Sequence, residues 1–261
     1  MLPNAWDVPS ARVFEDAGFP AVATSSAGVM VSVGYPDGEE IGVKEYASVV
    51  GRIARALSVP LSADVVGGFG STPRAATYSV REVIAQGAIG INVEDFTHET
   101  KKLLPLESQL AKVASLQELK RSMGVPFVIN ARTDALRFGR GTEEDRMAEA
   151  IKRGRAYRDA GADCVYPMGL SDAQAISKYV AALDFPVNVM VRRGLPPVAE
   201  LARLGVARVS FGPSASYAAM GLLKRASKEV LEKGTYDALT EGAITFDDLN
   251  ALAVPRKASL R

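Results

Sequence analysis

A chain of 261 residues with 48% hydrophobic side chains has enough apolar mass for a large core. Its formal charge of +1 gives no electrostatic footprint for nucleic acid or an anionic membrane, and no apolar run approaches the roughly 20 residues of a membrane span. The single cysteine, Cys164, excludes an internal disulfide, and Pro3, Asn4, Asp7 and Pro9 break any signal-peptide-like stretch after Met1. The cytoplasm is the expected compartment and a small molecule the expected partner.

In chain order, Leu2 to Ala5 reads as a first strand and apolar spacing predicts a helix over Val8 to Ala17. That helix stops at Gly18-Phe19-Pro20 and a strand follows, Ala21-Val22-Ala23. The unit then recurs. Helices over Val43 to Leu57, Thr77 to Gln86, Leu106 to Met123, Glu143 to Ala160, Asp172 to Leu183 and Val198 to Leu204 each run through Gly or an X-Pro step into a short apolar strand. Glycine relieves the left-handed backbone at a helix C-terminus, and proline just beyond prevents continuation, so each junction is a helix stop with a cause. Those strands reach Asp64, Glu94, Asn130, Tyr166, Met190 and Phe211, and a last helix is expected over Ser214 to Lys233.

Continuous apolar strands alternating with amphipathic helices imply a parallel sheet covered by helices, and about 250 residues is the usual length of an eightfold barrel. The expected architecture is α/β, a (β/α)8 TIM-type barrel over residues 1–239 with a C-terminal appendage, 240–261. A doubly wound open sheet uses the same alternation, but no Gly-x-Gly-x-x-Gly fingerprint follows the first strand. Thr245 to Leu249 reads as a capped short helix, and Arg256 to Arg261 as a basic, solvated tail.

Catalytic groups in such a barrel come from strand C-termini and the loops after them. Thr24-Ser25-Ser26-Ala27-Gly28 leaves backbone N–H groups approachable, which suits a carboxylate or phosphoryl oxygen. Asp64 and Glu94 end consecutive strands and should converge, with Asp37 from the Gly34-Tyr35-Pro36-Asp37-Gly38 turn as a third acid. Carboxylates with open water positions suit Mg²⁺. Asn130 and Arg132 share a strand face, and the guanidinium there is either a substrate clamp or scaffolding paired with Glu94 or Asp134. His98, in the charged loop Phe96 to Lys102 that could serve as a lid, lacks evident partners and is expected at the surface, while Cys164 sits in an apolar strand as a buried hydrophobe.

The ordered set Leu2-Pro3-Asn4-Ala5-Trp6-Asp7, Ala23 to Gly28, Gly34 to Gly38, Ala63-Asp64, Gly90 to Asp95, Ile129 to Asp134 and Gly234 to Asp237 resembles the isocitrate lyase and phosphoenolpyruvate mutase superfamily over nearly the whole chain. The resemblance is strongest to its short carboxyvinyl-carboxyphosphonate phosphorylmutase-like branch. It implies a barrel whose last helix is exchanged between subunits of a homodimer or homotetramer, and Mg²⁺ holding an α-keto acid or its enolate. On that resemblance Asp64 matches the acid nearest the metal, Asp37 and Glu94 match acids holding its waters, and Arg132 matches the substrate-gripping arginine. Ser25 and Ser26 match the anion loop; Thr24, Asn130 and Asn188 are further candidate substrate contacts, although Asn188, Met190 and Arg192 replace the lyases' pattern in the seventh strand.

The chain also departs from the family. Val66 stands where a second acid is usual, and Lys-Lys-Cys-Gly-His is missing after Glu94, so isocitrate and methylisocitrate cleavage is not expected. Tyr166-Pro167-Met168 lacks the lyases' glutamate. A Schiff-base aldolase is excluded because no strand exit offers a lysine. The expected activity is Mg²⁺-dependent cleavage of a C–C or P–C bond of a small α-keto or 2-hydroxy acid through an enolate. The alternative is a repurposed barrel with a weakened metal site that binds or transforms another metabolite.

Overall fold

The computed structural model describes residues 1–253, so the basic tail Arg256 to Arg261 lies outside the described residues. Eight parallel strands alternate with helices: β1 (Asn4–Ala5), β2 (Val22–Thr24), β3 (Leu61–Asp64), β4 (Gly90–Glu94), β5 (Val128–Thr133), β6 (Cys164–Pro167), β7 (Asn188–Met190) and β8 (Arg208–Ser210). β1 to β6 form one sheet in sequential order, and β7 pairs with β8. Two parallel bridges, Val165 to Val187 and Leu2 to Ser210, join these pieces into a ring. The closed order follows the chain, as the barrel reading expects, and the open doubly wound alternative is excluded.

The helices form where spacing and caps agree. Leu106–Met123 and Ser214–Lys233 match the expected bounds, and Gly124 takes the left-handed conformation (φ 63°) that ends the first of them. Asp7 caps Val8–Asp16 in a reciprocal pair with Ser10, and Thr142 does the same with Asp145 for Glu143–Asp159. The helix expected from Thr77 begins instead at Pro73, because Thr72 caps it and proline occupies its first turn. Three short features are not legible in apolar spacing: a helix at Ser26–Ser32, a turn of helix at Ala135–Phe138, and a hairpin pairing Phe96–Thr97 with Lys102–Leu103.

Strand alternation divides the molecule into two environments. Outward residues such as Ala63, Ile91, Val93, Ile129, Ala131, Val165 and Val189 are fully buried with Val80, Val113, Leu116 and Ile176 from the helices, and this shell is the hydrophobic core. The inward positions are polar: Ser62 and Asp64, Asn92 and Glu94, Asn130 and Arg132, Arg208 and Ser210. A barrel interior is ordinarily packed with branched apolar side chains. Here it is given over to hydrogen-bonding groups.

After the barrel, Phe246–Ala253 forms a helix that packs on Val8–Asp16, with Thr245 and Asp248 as its reciprocal cap. No helix among the described residues is long and apolar enough to cross a membrane.

Candidate active site

A cavity of about 200 Å³ opens at the C-terminal ends of the strands, lined by Thr24, Ser25, Ser26, Asp37, Asp64, Asn130, Arg132 and Asn188 among others. Sequence reasoning placed all eight near one another, and the fold brings them together. A second cavity beside it is bordered by Asp37, Val66, Glu94, His98 and Arg132.

Asp64, the last residue of β3, is hydrogen-bonded on both carboxylate oxygens. One carboxylate oxygen accepts from the Ser26 amide at 3.2 Å, and the other accepts from Asn92 Nδ2 at 2.9 Å and the Val66 amide at 3.4 Å. Its backbone is fixed too: its N–H donates to Thr24 Oγ1 at 2.9 Å, and Tyr46 Oη donates to its carbonyl. Because a carboxylate only accepts, Asn92 must turn its amide nitrogen toward Asp64 and its oxygen away. Asn130 Nδ2 donates to that oxygen at 2.9 Å, which leaves Asn130 Oδ1 buried without a partner. The charge on Asp64 thus orients two asparagines and ends in an unused acceptor on Asn130, a residue that lines the cavity.

Glu94 and Arg132 are direct cross-strand neighbours in the β4–β5 register, and their side chains pair at 2.7 Å. Asp134 holds Arg132 from the other side, accepting from Nε at 2.7 Å and from the Nη2 nitrogen at 3.0 Å. A guanidinium has five N–H donors, so two remain for a ligand after these three contacts. Arg132 is paired with two carboxylates, as the scaffolding reading expects, and it still borders the cavity.

His98 corrects the expectation of a surface residue. The hairpin after β4 folds back so that His98 Nε2 bonds Glu94 Oε1 at 2.8 Å, with Phe96 edge-on to the imidazole. Glu94's hydrogen bond raises the His98 pKa, while burial raises that of Glu94. Loss of solvation, reinforced by nearby Asp64, raises Asp37. Cys164 is buried, and burial pushes its thiol up to about 11, which fits the inert role read from the sequence.

The small-residue stretch after β2 is a helix start rather than an open cradle. Ser25 caps Ser26–Ser32, its hydroxyl accepting from the Gly28 amide at 3.3 Å. Gly28 is glycine for packing: a Cβ there would lie 2.7 Å from Trp6 Cβ.

Mg²⁺ is usually held by one or two protein carboxylates, with water and substrate oxygens completing the shell. Among the described residues no three acid, histidine or cysteine side chains surround one position. Asp64 and Asp37 border the same cavity and repel each other, whereas both oxygens of Glu94 are engaged by Arg132 and His98. These residues fit a water-rich ion at Asp64 and Asp37, with Glu94 as an outer support.

The phosphoenolpyruvate phosphomutase family profile matches residues 1–231. The chain belongs to the isocitrate lyase and phosphoenolpyruvate mutase superfamily. A crystal structure of a proposed lyase/mutase from Burkholderia cenocepacia J2315 is 35% identical, with a TM-score of 0.86 over 96% of this chain and 88% of that one. An oxaloacetate decarboxylase of Chromohalobacter salexigens is 28% identical across 95% of this chain and 82% of its own. An oxaloacetate acetylhydrolase, solved with its product oxalate, is 26% identical, with a TM-score of 0.83 over 97% of this chain and 88% of that one. Superfamily relatives of this kind are lyases and mutases that cleave C–C bonds of small acids, and the chain is an enzyme of that lyase type.

Proposed function

We propose that the protein is a Mg²⁺-dependent lyase that breaks a C–C bond of a small α-keto or 2-hydroxy acid and leaves the bonding electrons on one fragment as an enolate: on the keto unit when an oxo acid loses CO2, or on the carboxylate-bearing fragment when the hydroxyl carbon of a 2-hydroxy acid gives up its proton and becomes the carbonyl. The observation that supports this most directly is Asp64 at the strand ends, oriented by the Ser26 amide and Asn92 within a cavity that Arg132 also borders. When bound at Asp64 and Asp37, Mg²⁺ supplies positive charge beside the enolate oxygen. Arg132 receives the substrate carboxylate with its two unused N–H groups, held in place beforehand by Glu94 and Asp134. Asn130 Oδ1 accepts from a substrate hydroxyl, the hydrogen bond it lacks within the chain. The hairpin that contains His98 covers one side of the site and limits water.

The test is proton and phosphorus NMR with oxaloacetate, phosphonopyruvate and 2-methylisocitrate, each with Mg²⁺, with chelator and without protein. Mg²⁺-dependent formation of pyruvate above the protein-free rate is expected. Asp64→Ala should lower it by about 10²- to 10³-fold or more and weaken Mg²⁺ binding. Full activity in that variant would overturn the mechanism. We further infer that the helix Ser214–Lys233 is exchanged between two copies of the chain, a reading supported by its exposed apolar side chains.

A further inference from the structure

Cleavage of the kind proposed above leaves an enolate, and a carbon of that enolate must then receive a proton. The usual proton carriers are committed elsewhere. His98 Nε2 is bonded to Glu94, and the Cys164 thiol is buried and pushed up to about 11. Asp37 and Asp64 are the carboxylates read above as holding the ion. Two phenols remain in the cavity lining, Tyr166 and Tyr217. Tyr217 is 64% exposed on the helix Ser214–Lys233, whereas Tyr166 is 5% exposed within the barrel.

Tyr166 is the direct cross-strand partner of Arg132 in the β5–β6 register, so the two share the inner face of the barrel. The guanidinium carbon of Arg132 lies 5.8 Å from the centroid of the ring. A buried phenol ordinarily finds a strong acceptor for its proton. Here Tyr166 Oη donates at 2.7 Å to the thioether sulfur of Met168, a weak acceptor, and no oxygen or nitrogen takes that proton among the described residues. Met168 borders the same cavity. Loss of solvation raises the phenol's pKa against the opposing charge of Arg132, so the proton stays on oxygen at neutral pH. A packing platform for Arg132 would need only the ring, and phenylalanine offers that face without a hydroxyl held so weakly.

We propose that Tyr166 is a catalytic residue, the general acid that protonates the enolate carbon after C–C cleavage. This rests on the lyase reading above and adds the proton donor to it. With an oxo acid such as oxaloacetate, departure of CO2 leaves the bonding pair in the enolate. That pair forms a C–H bond with the Tyr166 Oη proton as the carbonyl is restored, and the phenolate left behind takes a proton from water. Each turnover therefore consumes one solvent proton for each CO2 released. With a 2-hydroxy acid the same proton goes to the carboxylate-bearing fragment. Arg132 beside the ring steadies the transient phenolate.

Oxalate presents oxygens on adjacent carbons, as the enolate and its carboxylate do, but has no carbon to protonate. Its affinity therefore reports the binding groups alone. Turnover of oxaloacetate or 2-methylisocitrate, whichever the wild-type chain converts, is measured by NMR for wild type and Tyr166→Phe, corrected for the protein-free rate. Oxalate affinity with Mg²⁺ and melting temperature are recorded in parallel. Tyr166→Phe should lower kcat by about 10²- to 10⁴-fold while oxalate affinity changes by less than about threefold. Wild-type kcat in the variant would overturn the assignment and leave the lyase reading standing. Turnover and oxalate affinity lost in parallel would make Tyr166 a platform for Arg132, again with the lyase reading intact. A wild-type chain that converts neither acid would overturn both.

Discussion

At the scale of single residues, Val66 stands where the family resemblance implies a second acid. Strand alternation puts Val66 on the face of Asp64, yet β3 ends at Asp64 and Val66 adopts φ 46°, a left-handed conformation that a β-branched residue rarely takes. Its amide donates to Asp64, its carbonyl accepts from the Glu94 amide at 2.8 Å, and its side chain borders the cavity of Asp37 and Glu94. Aspartate tolerates left-handed backbone better and would add a carboxylate beside Asp64. Val66→Asp should therefore tighten Mg²⁺ by about tenfold in calorimetric titration, since carboxylate count tunes such sites. Without Mg²⁺ the variant should melt lower, because a third acid then joins two that already repel. Asp64, Asn130, Arg132 and Asn188 were legible in the sequence because alternation assigns them to one inner face. His98 was not, because its partner is reached only when the hairpin folds back.

At the scale of elements, the loop after β3 is held by the helix Pro73–Ala85. Ser79 Oγ donates to the Gly68 carbonyl at 3.0 Å, and Ala76 packs so closely that a Cβ on Gly68 would lie 2.8 Å away. That helix begins where Thr72 Oγ1 accepts from the Ala75 amide at 3.2 Å. Apolar spacing placed its start at Thr77, since Arg74, Ala75 and Ala76 contribute little periodic signal and the cap is a local polar contact. Thr72→Ala should cost about 1 kcal/mol, read as a lower urea midpoint at unchanged slope. The C-terminal ends of the helices that stop at Gly or X-Pro were legible to within a residue for the same reason in reverse. Their ends are set by backbone chemistry that the residue type itself specifies. The hairpin at Phe96–Leu103 had no such signal: its two-residue strands are too short for alternation to show.

At the scale of the whole molecule, the last barrel helix does not bury its apolar side chains against its own barrel. Within Ser214–Lys233 only Ser216 and Ala226 are buried, whereas Leu231 is 87% exposed, and Tyr217, Met220 and Leu223 are each half exposed or more. The segment that follows continues the pattern with Tyr236, Leu239, Ile244 and Phe246. Monomers seldom leave a contiguous apolar surface of this extent in water, and a closed twofold pairing in which each copy donates this helix to the other would cover it. The wild-type chain should then sediment as a dimer or tetramer at micromolar concentration. Replacing Leu223 and Leu231 together with Asp puts charge into that interface and should shift the species toward monomer, with circular dichroism showing that the barrel helices persist. Turnover should fall with the dissociation, because Pro213 and Tyr217 at the start of this helix line the substrate cavity and its placement forms one wall of the site. A wild-type chain that sediments as a monomer would disprove the exchange. A monomeric variant with full turnover would show that the wall forms without the second copy.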